Sequence, residues 1–429
     1  MVYMDERLEK VIRGYWESEL PEVKERELNP HLKEGLITDI VGPRRAGKTY
    51  LMFSIIKNLP RKSAIYINLE NRRLLPLKEE YFNDIVEFIY AEQLLRKNKK
   101  VYLFLDEVQR IAGWERFVRS IYDEFKGKLK IFVSGSSANL LSQDYAKLLT
   151  GRHLSTIVLP LSFREFLTFK DLKVEDKILT EKQESLIKKY LKEYMTYGGF
   201  PEVVLGSQKD SMLSQLFSDI VSRDILSRAE IRNENVMEEL SNYCAANVSN
   251  LFSFGKMTRY FKSRGIKVST PTLIEYFRHM KNAFLFFDNT IFSYKIKEQM
   301  QYPRKIYAID CGFASIAGAE NLGRICENTV AVELLRRRAD TFYWKSRSQE
   351  EVDFIVREKK KISTIQVCYD PEEEDTKKRE IKALLKCMNE FGLKEAHVIT
   401  FDHEDTEKVD NKKISYVPLW KYLLGRSKI

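Results

Sequence analysis

The sequence predicts an α/β protein whose first third is a parallel sheet between helices and whose last third returns to strands and helices. Two patterns and one composition change carry that expectation. Up to about Phe166, "GLITDIVG", "SAIYINLE", "KVYLFLDE", "LKIFVSGS" and "HLSTIVLPL" are short apolar runs rich in β-branched residues, separated by amphipathic stretches or turns. None alternates strictly, which suits strands buried on both faces of a helix-covered parallel sheet. After Tyr302 a similar rhythm returns, with "RKIYAID", "TFYWKS", "EEVDFIVREKKKISTIQVCYD" and "EAHVITFD" set around the helical "ICENTVAVELLRRR" and "REIKALLKCMNEFG". Between the two lies a segment of charged helical faces.

That middle segment divides further. From "SFREFL" to "RAEIRN" it reads as helices, broken by "YGGFPEVV". From "NVMEEL" it reads as helix, short helix, turn, helix and hairpin, with "KSRGIKVSTP" as the turn. Ser269 or Thr270 is placed to cap the next helix and Pro271 suits its first turn. "FLFFDNTIFSYKI" reads as two strands around Asp288–Asn289, which completes a winged-helix outline. The expected domains are residues 1–168 for the parallel-sheet core, 169–235 for a helical lid or linker, 236–301 for the winged helix and 302–429 for the second α/β domain.

The length of 429 residues agrees with several domains. No apolar run is long enough to cross a bilayer, and the first twenty residues lack the apolar core of a signal peptide. Five scattered cysteines with no CxxC pair suit a reducing compartment, so a cytoplasmic location without a membrane partner is expected. Five histidines, none at metal-ligand spacing, give no zinc signal. A net charge of +10 admits a nucleic-acid partner without requiring one.

The most specific motif is Gly42-Pro43-Arg44-Arg45-Ala46-Gly47-Lys48-Thr49, placed after one predicted strand and before a helix that continues with Tyr50. Glycines let such a loop curl so that its backbone N–H groups face phosphate oxygens, with the helix N-terminus adding partial positive charge. Lys48 can reach the β- and γ-phosphates, and the Thr49 hydroxyl can ligate Mg²⁺. Asp106 and Glu107 end the strand "VYLFLDE", where Asp106 suits the metal and Glu107 the attacking water. The strand "KIFVSGSS" ends in Ser134 and Ser136, either of which can sit between the carboxylates and a γ-phosphate.

This order of motifs resembles the AAA+ class of P-loop ATPases, and more narrowly the prokaryotic ATPases that carry a C-terminal DUF4143 region. The resemblance rests on "GPRRAGKT", "FLDEVQRIAGWE", "VSGSSANLL", "LTGRHLSTIVLPLSFREFL", "YGGFPEVV", "KIYAIDCGF", "ENTVAVELL" and "EEVDFIV", which together span nearly the whole chain. It implies ATP and Mg²⁺ as cofactors and a cation set against the γ-phosphate, often from a neighbouring subunit, which leaves a homo-oligomer open. Arg152 is the first candidate for that cation, followed by Arg223 and Arg228, with Arg44 and Arg45 inside the loop itself.

Two further expectations concern DNA. In the winged helix, Pro271 to Lys281 is the recognition candidate, with Thr272, Glu275, Tyr276 and Arg278 as its polar or exposed positions. Lys256, Arg259, Lys262, Arg264 and Lys267 precede it as candidate phosphate contacts, while Phe277, Met280 and Phe284 read as core. "EEVDFIVREKKKISTIQVCYD" resembles the centre of PD-(D/E)xK, restriction-endonuclease-like nucleases. There Asp353 matches the strand carboxylate that holds metal, and Glu327 or Glu333 the helix carboxylate. The next strand offers Gln366 and Cys368 in place of Glu and Lys, with Glu351 and Lys345 nearby but offset, so the expected chemistry is degenerate.

Overall fold

A computed structural model describes residues 4–28, 35–138, 151–174, 179–229, 231–359, 361–371 and 374–426. The chain divides into two compact units, Met1–Leu159 and Pro160–Ile429.

The first unit is built on five parallel strands: β1 (Ile37–Val41), β2 (Ala64–Asn68), β3 (Val101–Asp106), β4 (Leu129–Gly135) and β5 (His153–Ile157). Their order across the sheet is β2-β3-β4-β1-β5. β1 and β4 are buried along their whole length, as the non-alternating apolar runs require. Phe104 and Phe132 stand opposite each other on β3 and β4 with ring centroids 4.5 Å apart. With Ile40, Leu51, Met52 and Val158 they join a core between the sheet and the helix Lys48–Ile56. Because β4 lies between β1 and β3, the ends of these strands converge at the carboxyl edge of the sheet. That is where open α/β sheets bind ligands.

The second unit holds two sheets. A three-stranded antiparallel sheet in the order β6-β8-β7 is formed by β6 (Leu251–Phe252), β7 (Phe286–Asn289) and β8 (Arg304–Ala308). Helices Glu234–Ala246, Phe254–Ser263 and Thr270–Asn282 precede or separate these strands, the last capped by Ser269 with Pro271 in its first turn. The expected hairpin within "FLFFDNTIFSYKI" is not formed. Only Phe286–Asn289 is a strand, Ile291 makes an isolated bridge to Tyr343, and the strand paired with β7 is β8. A boundary at residue 301 would therefore cut this sheet, since "RKIYAID" belongs to it.

A six-stranded mixed sheet follows, in the order β13-β14-β12-β11-β10-β9. Its strands are β9 (Asp340–Lys345), β10 (Glu351–Glu358), β11 (Lys361–Val367), β12 (Glu395–Thr400), β13 (Asp405–Val409) and β14 (Lys412–Pro418). Helix Leu322–Arg336 precedes β9, and helix Glu374–Phe391 connects β11 to the parallel β12. Leu161 and Phe166, expected in the 1–168 domain, and Leu191 and Tyr194, expected in the 169–235 lid, join one core with Val330, Phe354 and Trp420. The helical stretch and the C-terminal sheet thus bury a common apolar surface. All five cysteines are buried free thiols. No helix among the described residues is long and apolar enough to cross a membrane.

Candidate functional site

The phosphate loop lies between β1 and the helix Lys48–Ile56. Gly42 is fixed by close approach: a Cβ there would stand 2.0 Å from the Val158 carbonyl oxygen. Gly47 has φ 96° at the helix N-cap, a conformation that glycine adopts without a side-chain clash. Arg45 has φ 62°, so the loop alternates backbone signs in the manner of an anion-binding nest. The Lys48 ammonium is buried and donates to the Gly42 and Pro43 carbonyls at 3.2 and 3.0 Å, filling the curl of its own loop. It also lies 3.7 Å from Glu107 Oε1.

Asp106, at the end of β3, has no exposed surface and accepts hydrogen bonds from three hydroxyls. Thr49 Oγ1 is 2.7 Å and Tyr66 Oη 2.8 Å from Oδ2, and Ser134 Oγ donates to Oδ1. Burial pushes its carboxyl above the usual range, while the Ser134, Thr49 and Tyr66 hydrogen bonds act against that shift. Glu107 follows in a left-handed conformation with φ 58°. Its backbone N–H donates to Ser134 Oγ at 3.1 Å, so this serine hydroxyl joins the two acidic residues. The Glu107 carboxylate accepts from the Gln109 amide, and from the Ser136 hydroxyl at 3.3 Å. Thr49 and Asp106 form an all-oxygen pair in contact at the mouth of the loop, a donor set that fits a hard divalent cation such as Mg²⁺.

The loop residues, Thr49, Asp106, Glu107 and Ser134 are thus brought together, with Tyr50 half exposed on the first helical turn. Tyr66 and Gln109 were not legible as site residues. Tyr66 reads as one more strand apolar, although a tyrosine in an otherwise aliphatic buried run signals a hydroxyl in need of a partner.

Arg152 is not brought to the loop. It directly precedes β5, and its carbonyl accepts from Ile37 at the start of the parallel β1. Five strand residues at about 3.3 Å each separate that end of the sheet from the loop, roughly 16 Å. Its guanidinium is held by both oxygens of Asp123 at 2.6 and 2.8 Å. Arg44 pairs with Glu70 at 3.3 Å. Arg223 and Arg228, in and just after a π-helical turn over Ile220–Leu226, pair with Asp219 at 3.4 Å and Asp224 at 2.6 Å.

In the second unit, Tyr276 departs from expectation. It is buried and its hydroxyl accepts from the Asn233 N–H at 3.1 Å, so it belongs with Leu273, Phe277 and Met280 in the core. Phe284 is buried with them. Glu275 and Arg278 are exposed, and Thr272 is half-buried. Lys256, Arg259, Lys262, Arg264 and Lys267 are all exposed, with Arg264 paired to Glu239.

At the C-terminal candidate centre, Asp353 on β10 and Glu327 on helix Leu322–Arg336 are brought together, while Glu333 turns to Arg337 at 2.9 Å. Glu351, read as offset, joins the group. The residue sequence reasoning missed is Lys305 of β8, whose ammonium lies 2.7 Å from Asp353, 2.9 Å from Glu327 and 2.8 Å from Glu351. Tyr307 Oη donates to Glu327 at 2.8 Å. Gln366 accepts from the Asp353 N–H and donates to Glu380, and Cys368 is buried.

An AAA domain family matches residues 35–167, a domain of unknown function (DUF8612) matches 188–322, and a second (DUF4143) matches 322–422. An uncharacterized protein of Methanocaldococcus jannaschii is 36% identical over 412 residues, covering 93% of this chain and 90% of that one. One from Haemophilus influenzae is 29% identical over 394 residues, covering 89% and 93%. Among solved structures, the Walker-type ATPase PABY2304 of Pyrococcus abyssi superposes with TM-score 0.44 at 14% identity, covering 74% of this chain and 96% of that one.

Proposed function

Because the chain belongs to the family of AAA-type P-loop ATPases with a C-terminal DUF4143 domain, we propose that it hydrolyses Mg²⁺–ATP and couples nucleotide state to DNA contact. The observation that supports hydrolysis most directly is the meeting of Lys48, Thr49, Asp106, Glu107 and Ser134 at the carboxyl edge of one sheet. On this reading the loop N–H groups and Lys48 bind the β- and γ-phosphates, and Lys48 exchanges its Gly42 and Pro43 carbonyl partners for phosphate oxygens. Thr49 and Asp106 would hold Mg²⁺, which when bound neutralises charge on the β- and γ-phosphate oxygens. Glu107 orients the attacking water and accepts its proton, with Gln109 and Ser136 fixing the carboxylate. Ser134 keeps Asp106 and Glu107 in register. Arg44, Arg45 or an arginine of a second copy would supply the remaining positive charge; the Arg152 of the same chain is held by Asp123.

The DNA part of the reading rests on residues 234–308 acting as a winged helix. The element order helix, strand, helix, helix, strand, short helix, strand supports it, as do the exposed Lys256, Arg259, Lys262, Lys267 and Arg278. Contacts of that kind are to phosphate, so binding is expected to be salt-sensitive and weakly sequence-specific. Each neutralised phosphate contributes about −0.9 to the log–log salt slope, so these side chains together predict a slope of roughly −4 to −5. Phosphate release and fluorescence anisotropy with single-stranded, duplex and forked DNA over a salt series test both parts together. The expected result is DNA-stimulated turnover that fades with salt, and a slope reduced by about 2 in Lys256→Ala/Arg259→Ala. Turnover indifferent to DNA, with no salt-dependent binding, would favour a nucleotide switch acting on protein partners instead.

A further inference from the structure

The C-terminal sheet carries a centre whose chemistry differs from what its layout implies. Helix Leu322–Arg336, the antiparallel β9, β10 and β11, helix Glu374–Phe391 and the parallel β12 succeed one another as in the restriction-endonuclease-like fold. That fold implies a divalent metal held by the β10 carboxylate and its neighbours. The residues present do not fit one. Lys305 is 2% exposed, and each of its three ammonium protons has a carboxylate within reach: Asp353 at 2.7 Å, Glu351 at 2.8 Å and Glu327 at 2.9 Å. A Mg²⁺ or Mn²⁺ ion bound by these oxygens would need to stand about 2.0–2.2 Å from them, in the space the ammonium holds. Two further donors use the same carboxylates. Asp353 Oδ2 accepts from the Val367 N–H at 2.9 Å, and Glu327 Oε1 accepts from Tyr307 at 2.8 Å. The position where a nuclease lysine would stand is Cys368, a buried thiol.

We propose that Lys305 is a built-in cation occupying the place of the divalent metal, and that it fastens β8 to β10 and to helix Leu322–Arg336. The consequence is a C-terminal domain that neither takes up a divalent ion at Asp353 nor cleaves DNA through it. Instead, the middle strand of the three-stranded sheet is tied to the six-stranded sheet by a buried ion cluster. Burial opposes the ammonium, and the attraction of Asp353, Glu327 and Glu351 outweighs it, holding Lys305 protonated well beyond the ordinary lysine range. Removing one partner from such a cluster leaves uncompensated buried charge, which is costly. The proposal concerns residues apart from the phosphate loop and stands or falls independently of ATP hydrolysis.

The test uses Mn²⁺ as the probe on the nucleotide-free full chain, in a Thr49→Ala background so that the phosphate loop does not report. Free Mn²⁺ is followed by electron paramagnetic resonance and stability by thermal melting. The chain with Lys305 intact is expected to show no Mn²⁺ site that Asp353→Asn removes. Lys305→Ala exposes a carboxylate trio to an incoming ion. It is expected to melt lower, and to be restored by Mn²⁺ in a manner that adding Asp353→Asn abolishes. Mn²⁺ binding or Mn²⁺-dependent DNA cleavage by the Lys305 chain, lost in Asp353→Asn, would overturn the proposal. A folded Lys305→Ala that gains no Mn²⁺ site would overturn it as well. If Lys305→Ala does not fold, the comparison of the Lys305 chain with Asp353→Asn decides alone.

Discussion

Glu107→Gln separates chemistry from binding at the phosphate loop. The substitution keeps the side-chain volume, and glutamine inherits the left-handed backbone at φ 58° with the same strain, so the local fold is expected to persist. What changes is basicity at a carboxylate whose Oε1 lies 3.7 Å from the Lys48 ammonium and whose Oε2 accepts from Ser136 at 3.3 Å. A positioned general base contributes about 10²–10⁴-fold, so turnover is expected to fall by that factor, or about 3–5 kcal/mol in the barrier. ATP affinity is expected to be unchanged or tighter, because the substitution removes a negative charge that competes with the γ-phosphate for Lys48. Single-turnover phosphate release with Mg²⁺–ATP, paired with calorimetric titration of a non-hydrolysable analogue, reads both quantities. Turnover lowered by less than about tenfold would refute the assignment of the base. Loss of binding together with turnover would refute the separation of roles and make Glu107 a structural residue.

Other consequences follow from particular contacts. Gly42→Ala places a methyl 2.0 Å from the Val158 carbonyl, so backbone must move; a cost of about 1–3 kcal/mol in chemical denaturation and loss of nucleotide binding are expected. His153 Nδ1–H donates to the buried Asp39 carboxylate at 2.5 Å, and that hydrogen bond raises its pKa above the ordinary value. A raised folded-state pKa means the contribution is complete below about 6.5 and is lost as pH climbs through the raised value. Melting temperature should therefore fall over that interval more in the unmodified chain than in His153→Gln, and parallel curves would contradict the pairing. Tyr66→Phe removes one of the three hydroxyls on Asp106 and should weaken the dependence of ATP binding on Mg²⁺ while leaving Mg²⁺-free binding unchanged. Equal changes in both would contradict that role.

The phosphate loop and its acidic partners were legible because each is a contiguous stretch tied to a strand end. Gly42 to Thr49 must follow β1, and Asp106-Glu107 must close β3. The place of Ser134 between them follows once β4 lies between those strands. Arg152 does not reach the loop of its own chain for a reason the strand rule contains: β5 runs parallel to β1, so a residue before β5 stands at the opposite end from the loop. Tyr276 was misjudged against its own periodicity, since Leu273, Tyr276, Phe277 and Met280 recur at the spacing of one buried helix face. The pairing of β8 with β7 rather than with a strand in the 290s was out of reach, because an intervening helix, Ile296–Gln301, replaces the tight turn that a hairpin would advertise. Lys305 was hidden for the same reason. A lone lysine in "RKIYAID" reads as surface, and only the packing of β8 brings it to carboxylates 22 to 48 residues away in sequence.

The measurement that bears most directly on the central claim is steady-state phosphate release by the purified full chain with ATP, with Mg²⁺ present and chelated, beside Lys48→Ala. The account predicts turnover that requires Mg²⁺ and vanishes in Lys48→Ala while that variant remains folded. No turnover under any DNA condition, or turnover that survives Lys48→Ala, would contradict it.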